Sequence, residues 1–219
     1  MKPYRELLSV INSKEHADMI VIEGVVGVGK SSLMRHIQKL GYETFEEPVF
    51  DNPILEKFYY DRKRYSFPLQ IFFLNKRFKH IKEASKIEKA VLDRSIYGDA
   101  IFAKLLHING EMEKVEYDTY EELLENMLEH VQPPKLMIYL EVSVDEAIRR
   151  IRKRGLDFEQ IVEREYWQNL NDQYTLFFDQ YSISPILRIN VDNLDFEQNP
   201  EDLEYVLKLI SDKLEEVNV

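Results

Sequence analysis

The chain has 219 residues, 44% apolar and 12% aromatic, enough for the core of one large domain. Its net charge of −11 lacks the basic footprint of a nucleic-acid binder, so no nucleic-acid partner is expected. There is no cysteine, no apolar run of the ~18 residues a membrane span needs, and no signal-peptide centre near the start, so a cytoplasmic protein with no membrane partner is expected.

Residues 1–17 read as an N-terminal extension and 18–219 as a single domain. Short β-branched and apolar runs at 19–23, 42–46, 90–93, 135–141 and 186–190 alternate with longer helical patterns, and no tight hairpin signal joins them. That alternation predicts an α/β fold, a doubly wound, five-stranded parallel sheet with helices on both faces. Ligands of such sheets bind at the carboxyl ends of the strands.

The first strand runs into GVVGVGKS, Gly24 to Ser31, which satisfies G-x-x-x-x-G-K-[ST]. Three of the chain's seven glycines fall here, and they let several backbone N–H groups converge on one polyphosphate at a helix N-terminus. The predicted triphosphate contacts are Gly24, Val25, Val26, Gly27, Val28, Gly29, Lys30, Ser31 and Ser32. Lys30 would reach the outer phosphates, and Ser31 would hold Mg²⁺ through its hydroxyl. Leu33, Ile37 and Leu40 give the following helix its apolar face, and Gly41 supplies the stop.

A helical stretch from about 67 to 88 has Leu69, Phe72, Phe73 and Ile81 as its buried stripe, with Pro68 expected in the first turn. Gln70 and Arg77, two turns apart, share one face, read here as opposite the apolar stripe and aimed at a cleft. Further on, SVDE at 143–146 has capping-box form and opens a helix that Gly155 ends. That helix carries RRIRKR at 149–154, five basic residues in six positions of an acidic chain. Asp145–Arg149 and Glu146–Arg150 have the spacing of ordinary i, i+4 pairs, yet the basic charge exceeds what those acids balance.

A GTPase switch would need D-x-x-G and N-K-x-D, whereas this chain has DRSI at 93–96 and NKRF at 75–78, so a switch is not expected. The stretch from Phe45 to Phe78, followed by DRSIYGD from Asp93 to Asp99, resembles the deoxyribonucleoside kinase family, most closely its bacterial branch acting on deoxyadenosine, deoxycytidine or deoxyguanosine. The resemblance implies the P-loop kinase fold with a helical lid at about 149–160, ATP as donor with Mg²⁺, and a homodimer. It covers most of the chain after residue 18 and leaves the extension unexplained.

What it implies for residues follows the matching motifs. Glu47, of the Glu47-Pro48 pair, takes the proton of the sugar 5′-hydroxyl. Asp93 supports Mg²⁺, and Arg94 binds the reacting oxygens and holds Glu47; the plainer alternative is that Asp93 caps a helix and pairs with Arg94. Gln70 and Arg77 read the base with Asp99 as the partner of Arg77, Tyr59 takes the 3′-hydroxyl and excludes a 2′-hydroxyl with Glu159 as its acidic partner, and Phe102 stacks on the base. Arg150 and Arg154 are the lid arginines that close on the donor phosphates, with Leu156 standing where the family usually has a further arginine. Asp195 and Phe196 lie in the loop that touches the donor's base. Asp99 and Arg77 together suit a base with an exocyclic amine, so thymidine is expected to be a poor substrate. The rival readings are a nucleoside monophosphate kinase of the thymidylate-kinase type and an ATP-binding regulatory protein without turnover.

Overall fold

The computed structural model describes Tyr4 and residues 17–217, except 48, 50, 51 and the side chain of Phe158. The rest of the predicted extension up to residue 16, and the proline of the Glu47-Pro48 pair, lie outside the described residues.

Five parallel strands, β1 (Ala17–Glu23), β2 (Glu43–Phe45), β3 (Ala90–Asp93), β4 (Pro134–Glu141) and β5 (Ile186–Asn190), form one sheet in the order β2-β3-β1-β4-β5. In the central strand the successive residues Ile20, Val21 and Ile22 are all buried. Alternate residues face opposite sides of a sheet, so burial without a gap requires cover on both faces. The helices provide it. They are α1 (Lys30–Gln38), α2 (Leu55–Tyr60), α3 (Arg62–Ala84), α4 (Ile96–Ile108), α5 (Lys114–Leu128), α6 (Val144–Arg154), α7 (Asp157–Gln160), α8 (Arg164–Asp179) and α9 (Pro200–Val217).

Strands β3 and β5 fall on their predicted residues, while β2 is trimmed to Glu43–Phe45. Helix α3 departs further. It begins at Arg62, where Asp61 caps it by accepting the Arg64 N–H at 3.3 Å, so Pro68 lies inside the helix and not in its first turn. A proline there removes one i→i−4 bond, a cost the packing of this 23-residue helix absorbs. Nor does the polar pair oppose the apolar stripe: Gln70, Phe73, Leu74, Arg77 and Ile81 share one buried face, whereas Phe72 is only partly buried. The wall of the cleft is inside the molecule, so its polar side chains belong to the buried side of the helix.

The capping box at α6 is half formed. Ser143 Oγ accepts the Glu146 N–H at 3.4 Å, but the Ser143 N–H goes to Asp192 Oδ1 at 2.7 Å. Glu146 is engaged instead by Arg149 and Arg150, each at 2.6 Å, and Asp145 pairs with Arg164 at 3.0 Å, not with Arg149. Gly155 ends α6 in the left-handed conformation, as the spacing predicts. From the extension, Tyr4 is buried edge-on against Phe177, ring centroids 5.0 Å apart, with its hydroxyl on Gln173 Oε1 at 3.1 Å.

Candidate active site

A cavity of 720 Å³ opens where the carboxyl ends of β1, β2 and β3 meet α3 and α6, within the usual range for a small-molecule site. The glycine-rich turn forms one wall. Gly29 has φ 107°, and a Cβ added there would meet the Phe196 ring at 2.8 Å; one at Gly27, with φ 83°, would meet the Ala147 carbonyl oxygen at 2.7 Å. These glycines therefore make room for protein as well as for a ligand: the turn is wedged against α6 and the 191–199 loop.

Val26, Gly27, Gly29, Lys30, Ser31 and Ser32 line the cavity. Gly24, Val25 and Val28, predicted to touch the donor, lie behind that wall, with the two valines buried as apolar anchors. The carbonyls of Gly24 and Val25 accept from Lys30 Nζ at 3.0 and 3.2 Å. Burial, and then the charge of Arg94, bring the Lys30 ammonium down to about 8. An anion in the cavity would raise it again.

Ser31 Oγ donates to Asp93 Oδ2 at 3.2 Å, and the other Asp93 oxygen is buried without a hydrogen-bond partner. Burial pushes the Asp93 carboxyl upward. Hard oxygen donors with one unmet acceptor suit Mg²⁺, which is commonly held by one or two carboxylates together with substrate phosphates. Among the described residues no cluster of three acids, histidines or cysteines could hold a metal by itself.

Glu47 stands at the centre, its Oε1 2.6 Å from Arg77 Nη2 and 3.0 Å from Arg94 Nε. Burial would raise its carboxyl, but Arg94, Arg77 and Lys30 outweigh it and hold the group far below the usual carboxylate value. Arg94 is thus paired with Glu47, and the alternative of an Asp93–Arg94 pair does not describe this turn. The second nitrogen of Arg77 donates to Asp99, which lies behind Arg77 and is not among the residues lining the cavity. In this conformation Asp99 therefore positions Arg77, its partner, and does not itself reach the cavity. Its other oxygen is buried and unpartnered.

Gln70 and Phe102 line the same cavity, and the Phe102 ring carries the Arg94 guanidinium 5.0 Å from its centroid. Tyr59 and Glu159 also line it; burial, then Tyr166, then Glu159 raise the Tyr59 phenol. Tyr166, which sequence reasoning missed, completes this side, with the Arg62 guanidinium 4.2 Å from its ring. Those two residues are remote in sequence, and no local signal links them.

The lid arginines have different tasks. Arg154 Nη2 reaches both Glu159 carboxylate oxygens at 2.6 Å. Beyond its Nε pair with Glu146, Arg150 donates to backbone: Nη1 to the Val28 carbonyl at 3.0 Å, and Nη2 to the Val191 and Leu194 carbonyls at 2.7 and 3.2 Å. Predicted as a phosphate ligand, it joins the glycine-rich turn to the 191–199 loop here. Asp195 and Phe196, from that loop, line the cavity.

Comparison with known proteins identifies the family. The family model described as deoxynucleoside kinase matches residues 20–215. A deoxyguanosine kinase of Lactobacillus acidophilus is 42% identical over 91% of this chain and 92% of its own length. A deoxyadenosine kinase of the same organism is 40% identical over 91% and 97%. The solved structure of deoxyadenosine kinase from M. mycoides with bound dATP superposes with a TM-score of 0.79 at 35% identity, covering 88% of this chain and 99% of that one.

Proposed function

The chain belongs to the deoxynucleoside kinase family, and from that premise we propose how its residues share the work. It is a phosphotransferase that moves the γ-phosphoryl group of ATP to the 5′-hydroxyl of a deoxynucleoside, which sets aside the monophosphate-kinase and non-enzymatic readings.

The observation that carries the assignment is the Glu47 carboxylate, held between Arg77 at 2.6 Å and Arg94 at 3.0 Å on the wall shared with Lys30 and Ser31. A 5′-hydroxyl seated against Glu47 donates its hydrogen to the carboxylate. As its oxygen bonds to the γ-phosphorus, the bond to the β–γ bridging oxygen breaks, ADP leaves and Glu47 takes the proton. A carboxylate held so acidic is a weak base, so its first task is to orient the hydroxyl. That suits a loose transition state, in which little deprotonation is needed before transfer. Arg94 and Lys30 meet the charge on the transferring oxygens. Mg²⁺ would be held by Ser31 and Asp93, and would neutralise phosphate charge.

Gln70 and Arg77 read the base edge, and the open oxygen of Asp99 offers an acceptor to an exocyclic amine once a base displaces part of the Arg77 contact. Adenine, cytosine and guanine carry such an amine; thymine does not. Deoxyadenosine, deoxycytidine or deoxyguanosine is therefore the proposed acceptor, and Tyr59 with Glu159 the proposed clamp on the 3′-hydroxyl. The homodimer implied by the family resemblance and the cytoplasmic setting expected from the composition belong to this proposal. No helix among the described residues is long and apolar enough to cross a membrane.

A coupled assay over the four natural deoxynucleosides and their monophosphates, with and without Mg²⁺, tests this reading. Turnover of the three amine-bearing nucleosides with little on thymidine is expected, together with dependence on Mg²⁺. Preference for a monophosphate acceptor would overturn it. Light scattering in solution checks the dimer.

A further inference from the structure

Arg94 has φ 66°, the left-handed conformation that no other described non-glycine residue adopts. A side chain in that region is strained, and the strain persists only where the surroundings over-determine it. Three residues with no role so far surround this one.

The backbone is pinned on both sides. The Arg94 N–H reaches the Ile22 carbonyl at 2.9 Å, tying the turn to β1. One residue on, Glu23 Oε1 accepts the Ser95 N–H at 2.8 Å and the Ser95 hydroxyl at 3.0 Å. Glu23 is fully buried, and a Cβ on Gly98 would lie 2.4 Å from that same oxygen, so the carboxylate fills the space a larger residue would take. Ser95 in turn caps α4 by accepting the Gly98 N–H at 3.4 Å.

The side chain is pinned separately. Arg94 Nη1 donates to the Tyr174 hydroxyl oxygen, on the side away from Glu47. Tyr174 is fully buried, stacked on Phe178 and Tyr139 at centroid distances of 6.1 and 6.3 Å and edge-on to Phe102 at 6.0 Å. A phenol wedged among rings is a fixed acceptor. Glu47 alone would leave the guanidinium free to swing about a single ion pair.

We propose that Glu23, Ser95 and Tyr174 form a clamp that aims Arg94 at the transferring phosphoryl group, Glu23 and Ser95 setting its strained backbone and Tyr174 its guanidinium. They are positioning residues, and the inference rests on the reading of Arg94 as the arginine at the reacting oxygens. An arginine aimed before substrate arrives needs no reorganisation in the transition state, so misaiming it lowers kcat far more than it raises KM.

Tyr174→Phe keeps the ring and removes the acceptor. The expected result is a fall in kcat of about tenfold or more, with KM for ATP and nucleoside changed by less than about twofold. Tyr139→Phe removes a phenol from the same stack without touching Arg94, and should leave kcat within about twofold of the parent. Glu23→Gln, which keeps an acceptor for Ser95, should recover most of the kcat that Glu23→Ala loses. Unchanged kcat in Tyr174→Phe, equal losses in Tyr174→Phe and Tyr139→Phe, or a Gln variant no better than Ala overturns the clamp. Arg94→Ala in the same assay separates the two levels: an active variant overturns the role of Arg94 itself, whereas an inactive one beside a normal Tyr174→Phe overturns the clamp alone.

Discussion

At the strand ends the side chains of Arg77 and Arg94 are only 4% and 3% exposed, and each is paired with a carboxylate. On the lid, those of Arg149 and Arg154 keep 64% and 46% of their surface in solvent while pairing with acids of α6 and α7. Both groups line one cavity and both are basic. The buried pair has lost its hydration and depends on fixed partners, so it is aimed before any substrate arrives. The lid cations keep their hydration while their partners Glu146 and Glu159 are mostly buried, and we propose that they change partners when phosphate enters. The difference separates orientation built into the fold from charge recruited on binding.

The largest effect belongs to the centre. Glu47→Gln keeps the shape of the side chain and removes the proton acceptor and the counter-charge of two arginines. The expected loss in kcat is about 10²–10⁴-fold, the usual range for a general base. Steady-state turnover checks it, and a loss below about tenfold would mean that Glu47 orients the hydroxyl without accepting its proton.

Next comes the Arg77–Asp99 pair. Removing Arg77 alone strands a buried Asp99, which is expected to destabilise the protein by about 3–5 kcal/mol. It also takes a counter-charge from Glu47, whose carboxyl then rises toward its ordinary value. Arg77→Ala combined with Asp99→Ala avoids the stranded charge. The double variant should lose about 10–100-fold in kcat/KM for the amine-bearing nucleosides while thymidine gains relative to them. An unchanged order across the substrate panel would show that the pair only orients Glu47.

The motifs at the strand ends were legible because each is local: the glycine-rich turn, the Asp93-Arg94-Ser95 step and the carboxylate after β2 are short stretches whose meaning depends on a strand ending there. Glu23 left a signal that reasoning passed over, since a carboxylate closing the buried apolar run 19–22 of the central strand needs a buried partner. Tyr174 and Tyr166 left none. Each sits on a helix where an aromatic at that spacing reads as core, and only the fold brings the first to Arg94 and the second to Arg62. Pro68 misled because its fixed φ fits a first turn, whereas the packing of α3 carries it inside. The lid was legible as charge but not as partners: Arg150 has carbonyls within reach from two loops that sequence spacing does not relate.

That distinction gives the lid its own test. Arg154 binds Glu159 in this conformation, and Glu159 lies on the Tyr59 side of the cavity. If Arg154 turns to the donor phosphates on binding, Arg154→Ala should lower kcat about tenfold and change the nucleoside KM less. A KM effect larger than the kcat effect would instead make Arg154 a support for the sugar pocket acting through Glu159. The readout therefore decides whether the exposed region takes part in transfer or borrows its effect from the buried one.

The smallest expected effect concerns Lys30, which belongs to the buried region yet must change partners as the lid does. In the free protein its ammonium is held by the Gly24 and Val25 carbonyls at 3.0 and 3.2 Å, and burial with Arg94 lowers it to about 8. A lysine with a lowered value loses its charge as pH rises through that value, so capture of the anionic donor should weaken on the alkaline side. Since kcat/KM reports the free enzyme, kcat/KM for ATP should fall by about fourfold between pH 7 and 8.5. Bound phosphates favour the ammonium and raise its value again, so kcat at saturating ATP should stay flat over the same interval. A kcat that falls in parallel would mean that the phosphates do not restore the charge, and that Lys30 stays on its carbonyls throughout turnover.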